Sequence, residues 1–228
     1  MRKRILLTFI TAIFLVGCNE KDNCQLIPRD ILFARPERYD VSMSPDGEKI
    51  AYFGKDGLYV EDLSGKLLRK FDVEPGFYAW AQTGEHLLIA QNQAGNDNSH
   101  VFCLDIKTGT SMNLTPFPNT KSEVTKISDK HPEEIAILLN MDDPNWLSAY
   151  RVNIITGKME LIFKSTEYLN FSFDNSLKPR IGFKITKDGN CGAYLLDGKK
   201  PKFLQFVALE SSNKTKAFSY FAPDDNTV

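Results

Sequence analysis

Short stretches in which apolar and polar residues alternate recur along this chain, and pairs of turn-forming residues separate them. Residues 41–53, VSMSPDGEKIAYF, contain the complete unit: a strand, a Ser-Pro-Asp-Gly turn and a second strand. Asp-Gly pairs favour tight hairpins because glycine readily adopts a positive φ angle. Alternation with a period of two residues predicts β-strands rather than helices. No convincing amphipathic helix is predicted beyond Cys18, so we expect an all-β fold.

The unit occurs four times. Its turn motifs begin near Ser44, Ala81, Ser128 and Phe173, at spacings of about 37, 47 and 45 residues. A repeat of roughly 40–50 residues that contains four short strands is typical of a β-propeller blade. One blade is a small sheet with two apolar faces, so it must pack against neighbouring blades. The pattern therefore predicts about four four-stranded blades within residues 39–228.

The last residues, FSYFAPDDNTV, predict the opening strand and turn of a fifth blade. Ala222-Pro223-Asp224 takes the place that Ser44-Pro45-Asp46 has in the first unit. A propeller normally closes into a ring of blades. We therefore expect an incomplete propeller that can self-associate through its open edges. Residues 18–38 are expected to form a tether and a lead-in segment, with one helical turn near Arg29–Phe33.

Residues 1–17 have the features of a secretion signal. Three basic residues, Arg2, Lys3 and Arg4, precede an uncharged apolar run. At about 13 residues, this run is shorter than the roughly 20 that a membrane-spanning helix needs. Leu15-Val16-Gly17-Cys18 resembles the lipobox of bacterial lipoproteins, in which the cysteine is lipidated. This resemblance implies a lipid on Cys18, the membrane as a partner, and a location at the bacterial cell envelope, on the periplasmic side or the cell surface.

Charge and cysteine content narrow the possible partners and ligands. A nucleic-acid partner requires a clustered basic face, and the formal net charge of -1 gives no reason to expect one. If Cys18 is lipidated, the remaining Cys24, Cys103 and Cys191 are odd in number, which excludes a complete disulfide framework. Cys103 lies in a strand-like stretch and is expected to be a small buried hydrophobe. No cysteine and histidine spacing suits zinc, and we predict neither a metal site nor a cofactor.

The phrase LIPRDILFARPERYDVSMSPDGEKIAYF, residues 26–53, carries a family resemblance. It resembles the start of the propeller domain in the prolyl oligopeptidase (S9) family of serine peptidases, which includes dipeptidyl aminopeptidases and acylaminoacyl peptidases. The matching positions are Pro28, Arg29, Leu32, Phe33, Pro36, Glu37, Arg38, Ser44, Pro45, Asp46 and Gly47. The likeness extends over about residues 26–228. It implies a propeller that covers an active site and admits only short peptides.

The chain also departs from this family. Relatives often carry an acidic D-x-x-G-D/N-E-N phrase in the second blade, where this chain has Asn92 and Asp97 in place of the expected Asp and Glu. Family members continue into an α/β-hydrolase domain with a Ser-Asp-His triad, and this sequence contains no counterpart of that domain.

A direct search of the residues predicts no catalytic site. No G-x-S-x-G nucleophile elbow occurs, and residues 109–113, the nearest match, lack the second glycine. His86, His100 and His131 are expected to be exposed turn or edge residues. Asp142 and Asp143 are expected to form a connecting turn, because adjacent side chains in an extended chain point to opposite faces.

Two functional hypotheses follow. In the first, the chain is the substrate-gating propeller portion of an envelope-anchored S9-type serine peptidase, without its catalytic domain, truncated and inactive alone. In the second, it is a stand-alone propeller-like lipoprotein that binds proteins in the cell envelope. The P-R-x-x-L-F-x-x-P-E-R phrase favours the first hypothesis.

Overall fold

The computed structural model describes residues 27–34, 36–74, 76–92, 98–198, 200–207 and 221–225. The predicted signal peptide, Cys18 and Cys24 lie outside these ranges. The chain divides into two compact units, Met1–Pro36 and Glu37–Val228. Within the described ranges, no helix is long and apolar enough to cross a membrane.

In the first unit, a single helical turn, α1, spans Arg29–Leu32. Pro28 precedes it with a φ of -54°, an angle that its ring favours at a helix start. The Phe33 amide closes the turn on the Arg29 carbonyl at 2.9 Å. The predicted helical turn is therefore confirmed. Its apolar side chains are exposed within this unit.

The second unit consists of four antiparallel four-stranded sheets, each with its strands in sequence order. We number these sheets as blades 1 to 4, and their strands are β1 (Tyr39–Met43), β2 (Lys49–Gly54), β3 (Gly57–Asp62), β4 (Leu67–Phe71), β5 (Tyr78–Trp80), β6 (His86–Asn92), β7 (Ser99–Asp105), β8 (Ser111–Asn113), β9 (Ser122–Ile127), β10 (Glu134–Asp143), β11 (Trp146–Asn153), β12 (Met159–Phe163), β13 (Asn170–Phe173), β14 (Pro179–Ile185), β15 (Cys191–Leu195) and β16 (Lys202–Val207). The predicted all-β architecture of four four-stranded blades is confirmed.

Apolar clusters join each blade to the next one in sequence. Phe53 and Leu58 of blade 1 share a buried cluster with Leu87 of blade 2. Separate clusters join blade 2 to blade 3 and blade 3 to blade 4. Since alternate side chains of a strand point to opposite faces, the two middle blades bury one face against each neighbour. This successive stacking is the packing that a propeller requires.

The strand order places two kinds of connection at opposite ends of the blades. The hairpins between second and third strands and the links between blades lie at one end, which we call the loop face. The turns after the first and third strands lie at the other end, the turn face. Five equivalent turns lie there, each closed by a hydrogen bond from its fourth amide to its first carbonyl at 2.9–3.2 Å: residues 44–47, 81–84, 128–131, 174–177 and 222–225. The fourth begins at Asp174, one residue after the predicted start.

The fifth turn, residues 222–225, is held against the fourth by Asp225. Its carboxylate accepts hydrogen bonds from the Asn175 amide at 2.7 Å, the Ser176 hydroxyl at 3.0 Å and the Lys130 ammonium at 2.8 Å. Burial opposes ionisation of Asp225, but these hydrogen bonds outweigh it and lower its pKa to about 2. Phe221 packs beside the turn against buried Ile181 of blade 4. The expected likeness of residues 222–224 to the first turn is thus present in the backbone.

We predict that Asp225→Asn lowers the free energy of unfolding at neutral pH by about 1–2 kcal/mol, because it removes charge-assisted hydrogen bonds that solvent partly screens. A carboxyl whose folded pKa is lowered stabilises the fold above its unfolded pKa of 3.8, and this contribution is lost as the pH falls towards about 2. Urea denaturation at neutral pH and between about pH 4 and pH 2 measures the difference. Asp129→Asn, in the exposed part of the third turn, serves as the control. Equal stabilities of Asp225→Asn and the parent protein at neutral pH would contradict the prediction.

Candidate functional site

The nearest match to a nucleophile elbow is a structural turn. Residues 106–110 link β7 to β8, and the Gly109 amide bonds the Asp105 carbonyl at 2.8 Å. Gly109 has a φ of 78°, an angle that favours glycine. Ser111 follows as the exposed first residue of β8. The segment therefore closes a hairpin on the turn face and does not present a strained serine above a sheet.

The three histidines occupy different environments. His86 opens β6, with its Nδ1 2.9 Å from the Thr83 hydroxyl and its Nε2 4.0 Å from Asp105. The arrangement of Thr83, His86 and Asp105 resembles a nucleophile, a base and an acid. The Asp105 carboxylate, however, accepts a hydrogen bond from the Thr108 amide at 2.9 Å and so caps the next turn. His131 lies in the third turn, 3.5 Å from Glu134. His86 therefore lies beside the second turn and His131 within the third, as expected, but both are half-buried rather than exposed.

His100 corrects the prediction of an exposed histidine. It is 4% exposed and its Nδ1 lies 3.2 Å from the Asn113 side-chain nitrogen. Nearby, Thr115 and Ser122 join hydroxyls at 3.0 Å where blade 2 meets blade 3. His100 is not at a sheet edge, since β7 is flanked by β6 and β8, and its buried ring lies beside the Asn113 side chain of β8.

Asp142 and Asp143 do not lie in the expected connecting turn. They are the last two residues of β10, directly before the turn at residues 144–145, and both have structural partners. Asp142 accepts a hydrogen bond from the Tyr150 hydroxyl at 2.7 Å, and Asp143 accepts one from the Asn145 amide at 2.9 Å. Burial, followed by this contact with Asp142, raises the pKa of Tyr150. In the part of the chain that the structure describes, no group of histidine, cysteine and acidic side chains is arranged to hold a metal ion.

Two free thiols lie within the described sheets. Cys103 is 4% exposed in the cluster between blades 2 and 3, as expected for a small buried hydrophobe. Burial, reinforced by the charge of Asp105, raises the pKa of the Cys103 thiol to about 12. Burial also raises the pKa of Cys191, which is only partly buried at the start of β15.

We predict that a thiol reagent modifies Cys191 of the folded protein at least about tenfold faster than Cys103, because reaction needs both access and thiolate. Peptide mapping by mass spectrometry after timed iodoacetamide labelling resolves the two sites. In denaturant, both cysteines should react at similar rates, which provides the control. Labelling of Cys103 as fast as Cys191 in the folded protein would argue against the buried position.

The most suitable candidate for ligand contact is a cavity on the loop face. Its volume is about 530 Å³, and it is lined by Glu74, Gly76, Phe77, Ala90, Gln91 and Asn92. The connection from blade 1 to blade 2 and the end of β6 meet here, where the Ala90 amide bonds the Phe77 carbonyl at 3.3 Å. Asn92, singled out in the sequence, is part of the lining, whereas Asp97 lies outside the described residues.

The chemistry of this cavity suits binding rather than bond cleavage. Glu74 supplies a carboxylate, Gln91 and Asn92 supply amides, and Phe77 supplies an aromatic ring that is 52% exposed. Such a mixture can hold an extended peptide by hydrogen bonds and apolar contact. Sequence reasoning missed Glu74 and Phe77. In the sequence, the only local indication of them is an aromatic residue beside a Pro-Gly pair that separates two strands.

Comparisons with known proteins point to peptidases. No family model matches the sequence. The chain is 33% identical over 150 residues to "Dipeptidyl aminopeptidase BIII" of Pseudoxanthomonas mexicana, a match that covers 62% of this chain and 22% of the relative. It is 24% identical over 185 residues to "Dipeptidyl peptidase family member 6" of Caenorhabditis elegans, covering 72% of this chain and 24% of the relative.

Among solved structures, the β-propeller domain of the Trilobed protease from Pyrococcus furiosus aligns with a TM-score of 0.45 and 16% identity, over 74% of this chain and 58% of that one. The chain spans less than a quarter of the length of the two dipeptidyl peptidases that it matches. These relatives are peptidases, and the four stacked sheets have the blade order of a propeller. The chain is thus similar to the propeller region of the prolyl oligopeptidase (S9) family of peptidases.

Proposed function

We propose that this chain is the substrate-gating propeller portion of an envelope-anchored S9-type serine peptidase. The observation that carries the proposal is the 33% identity to a dipeptidyl aminopeptidase over 150 residues. The four blades supply the architecture that the family resemblance requires. Ser111, the serine of the nearest match to a nucleophile elbow, is the exposed first residue of β8, and the three histidines lie in or beside turns or are buried next to Asn113. We therefore assign the bond-cleaving step to an α/β-hydrolase domain, as the resemblance implies, and we expect this chain alone to be inactive.

In this proposal the loop face interacts with peptides. Its cavity of about 530 Å³ can accommodate a few residues of an extended chain. Glu74 and the neighbouring amides offer hydrogen-bond partners to the peptide, and Phe77 offers apolar contact. The blades restrict access, since large folded substrates cannot pass between sheets whose shared faces are fully packed. Short peptides are accordingly the proposed substrates of the complete enzyme.

A chimera tests the proposal. The matched region of the Pseudoxanthomonas dipeptidyl aminopeptidase is replaced by this chain, and hydrolysis of a dipeptidyl chromogenic substrate is measured. We expect activity in the chimera and none in this chain alone. A second chimera with a propeller from an unrelated family serves as the control and should be inactive. If the first chimera folds but is inactive, the proposal fails and the stand-alone binding module becomes the better hypothesis.

The envelope anchor is a separate part of the proposal and has its own test. Cells that express the chain are labelled with a radioactive or alkyne-bearing fatty acid and then fractionated. We expect label and membrane association in the parent protein, and loss of both in Cys18→Ser. Cys24→Ser is the matched control and should keep the label. Equal labelling of parent protein and Cys18→Ser would exclude the lipid at Cys18.

A further inference from the structure

The fourth strand of each blade is an edge strand, and β16 differs from the other three. Among the strands that the structure describes, each of these pairs only with the third strand of its own blade. An unpaired edge can take up a strand of another molecule, and charged side chains or a short length normally prevent this. β4 contains Arg69 and Lys70, β8 is only three residues long, and β12 carries the exposed Glu160. β16 is the longest of the four, with six residues, and has no charged residue after Lys202.

Two phenylalanine rings lie side by side on one face of β16. Tyr194 pairs with Phe203 but Gly192 pairs with Phe206, so β16 has one residue more than β15 over this stretch and forms a bulge at Leu204. Because of the bulge, Phe203 and Phe206 are two ladder positions apart and share a face of the sheet. Their ring centroids are 4.7 Å apart, and the Phe203 ring also lies 5.5 Å from that of Tyr194. Phe203 and Phe206 nevertheless remain 43% and 56% exposed.

The edge of β16 is complementary to itself. A two-fold rotation brings two identical edges together in antiparallel orientation. If the rotation axis passes beside Gln205, which pairs with Ala193 next to the bulge, Phe203 of each copy lies opposite Phe206 of the other. The four rings then form one cluster on one face of the joined sheet. The two Lys202 side chains lie at opposite ends of the pair, so that like charges do not meet.

We propose that two copies of this chain pair edge to edge along β16, which joins the two copies of blade 4 into one eight-stranded sheet. Both surfaces of the interface are present in the structure, since the partner surface is β16 itself. Phe203 and Phe206 together leave about as much area exposed as one whole phenylalanine, roughly 150–250 Å² per copy. Stable interfaces bury at least about 1,200 Å², so the dimer is weak and reversible. The inference concerns the propeller alone and does not depend on the peptidase function.

Analytical ultracentrifugation of matched variants tests the proposal. All proteins are the full chain with Cys18→Ser, which keeps them free of the proposed lipid. We expect the parent protein to show a monomer–dimer equilibrium between about 1 and 100 μM, as small interfaces do. Phe206→Lys should raise the dissociation constant at least about tenfold, because it places a charge on the edge and among the rings. Phe77→Lys, at a phenylalanine of similar exposure, 52% against 56%, should leave the constant unchanged.

Two results of this experiment would overturn the proposal. One is a parent protein that remains monomeric at about 100 μM. The other is an equal dissociation constant for Phe206→Lys and Phe77→Lys, which would assign any association to another surface. Circular dichroism checks that both variants are folded.

Disulfide trapping tests the antiparallel register of the pair. The two Gln205 positions face each other within the roughly 4.4–6.8 Å between Cα atoms that a disulfide spans, whereas the two Lys202 positions are about 13 Å apart along the strands. We therefore expect a covalent dimer of Gln205→Cys under mild oxidation, and none of Lys202→Cys or of the parent protein. Both residues are exposed, so access to the oxidant does not distinguish them. Covalent dimers of both variants, or of neither, would overturn the proposal.

Discussion

Phe53→Ala should lower the free energy of unfolding by about 3–5 kcal/mol, as expected when a buried aromatic ring is removed from a close-packed core. Phe53 is 1% exposed. Its ring stacks on Tyr39 within blade 1, with centroids 5.8 Å apart, and meets the edge of Tyr78 from blade 2 at 5.3 Å. The substitution therefore removes contacts within a blade and between two blades at once.

The neighbouring side chains should not be able to fill the space that the Phe53 ring leaves. Tyr78 cannot move freely into the space, because its hydroxyl donates to the Ala51 carbonyl at 2.8 Å and accepts from the Ser42 hydroxyl at 2.9 Å. Trp80 is also tied to blade 1, through its indole nitrogen and the Ser42 carbonyl at 3.4 Å. These bonds hold the first strands of the two blades at a fixed separation, and a cavity remains.

Urea denaturation monitored by circular dichroism measures the Phe53→Ala effect. Phe77→Ala is the control, because Phe77 is 52% exposed and its removal should cost less than about 1 kcal/mol. A Phe53→Ala protein within about 1 kcal/mol of the parent would show that the junction between blades 1 and 2 contributes little to stability.

The blades were predictable from sequence because their determinants are local. Turn-forming residues between alternating strands indicate where the hairpins begin, and the first three turn motifs fall at Ser44, Ala81 and Ser128 as predicted. The fourth turn begins at Asp174, one residue late. Its left-handed residue is Leu177, with a φ of 60°, where the first two turns have glycine. Residue type does not predict a leucine in this conformation, whereas the third turn, which also lacks glycine, contains no residue with a positive φ.

Features that depend on contacts between blades were not predictable. His100 stands near the start of a strand, and the sequence does not state that Asn113 from the next strand meets its ring. Glu74 and Phe77 become neighbours of Asn92 only when blade 2 has folded beside the connection from blade 1. A single sequence does not indicate contacts between residues that are far apart along the chain, unless the residue types themselves point to them.

Arg38 illustrates how the structure adds a physical reason to a sequence motif. In the sequence, the P-E-R phrase indicates only a family resemblance. In the structure, the Arg38 guanidinium donates to the Glu61 carboxylate at 2.7 and 3.3 Å, across 23 positions of sequence. It also lies 4.6 Å from the centre of the Tyr52 ring. Arg38 thus links the start of blade 1 to its third strand.

Glu61→Ala should lower the free energy of unfolding by about 2–4 kcal/mol, because it leaves buried hydrogen-bond donors without an acceptor. Glu61 is 6% exposed and accepts from the Tyr52 hydroxyl at 2.6 Å as well as from Arg38. Tyr52 is itself 5% exposed, and its ring stacks on Tyr59 at 5.5 Å. Water therefore has little room to replace the lost carboxylate. Arg38, being half-exposed, can rehydrate, which keeps the expected loss below that of a fully buried ion pair.

A double-mutant cycle with Tyr52→Phe measures how much of this effect belongs to the tyrosine. Glu61→Gln keeps an oxygen acceptor for Tyr52 and should cost less than Glu61→Ala. The pH dependence gives an independent check. Burial, followed by the bond to Glu61, raises the pKa of Tyr52 to about 12, so the folded state holds this proton after the unfolded chain has begun to lose it near pH 10. Stability from Tyr52 is consequently present below pH 10 and declines as the pH rises towards about 12. Glu61→Ala should weaken that decline, and an unchanged alkaline profile together with an unchanged unfolding free energy would show that the carboxylate does not hold blade 1 together.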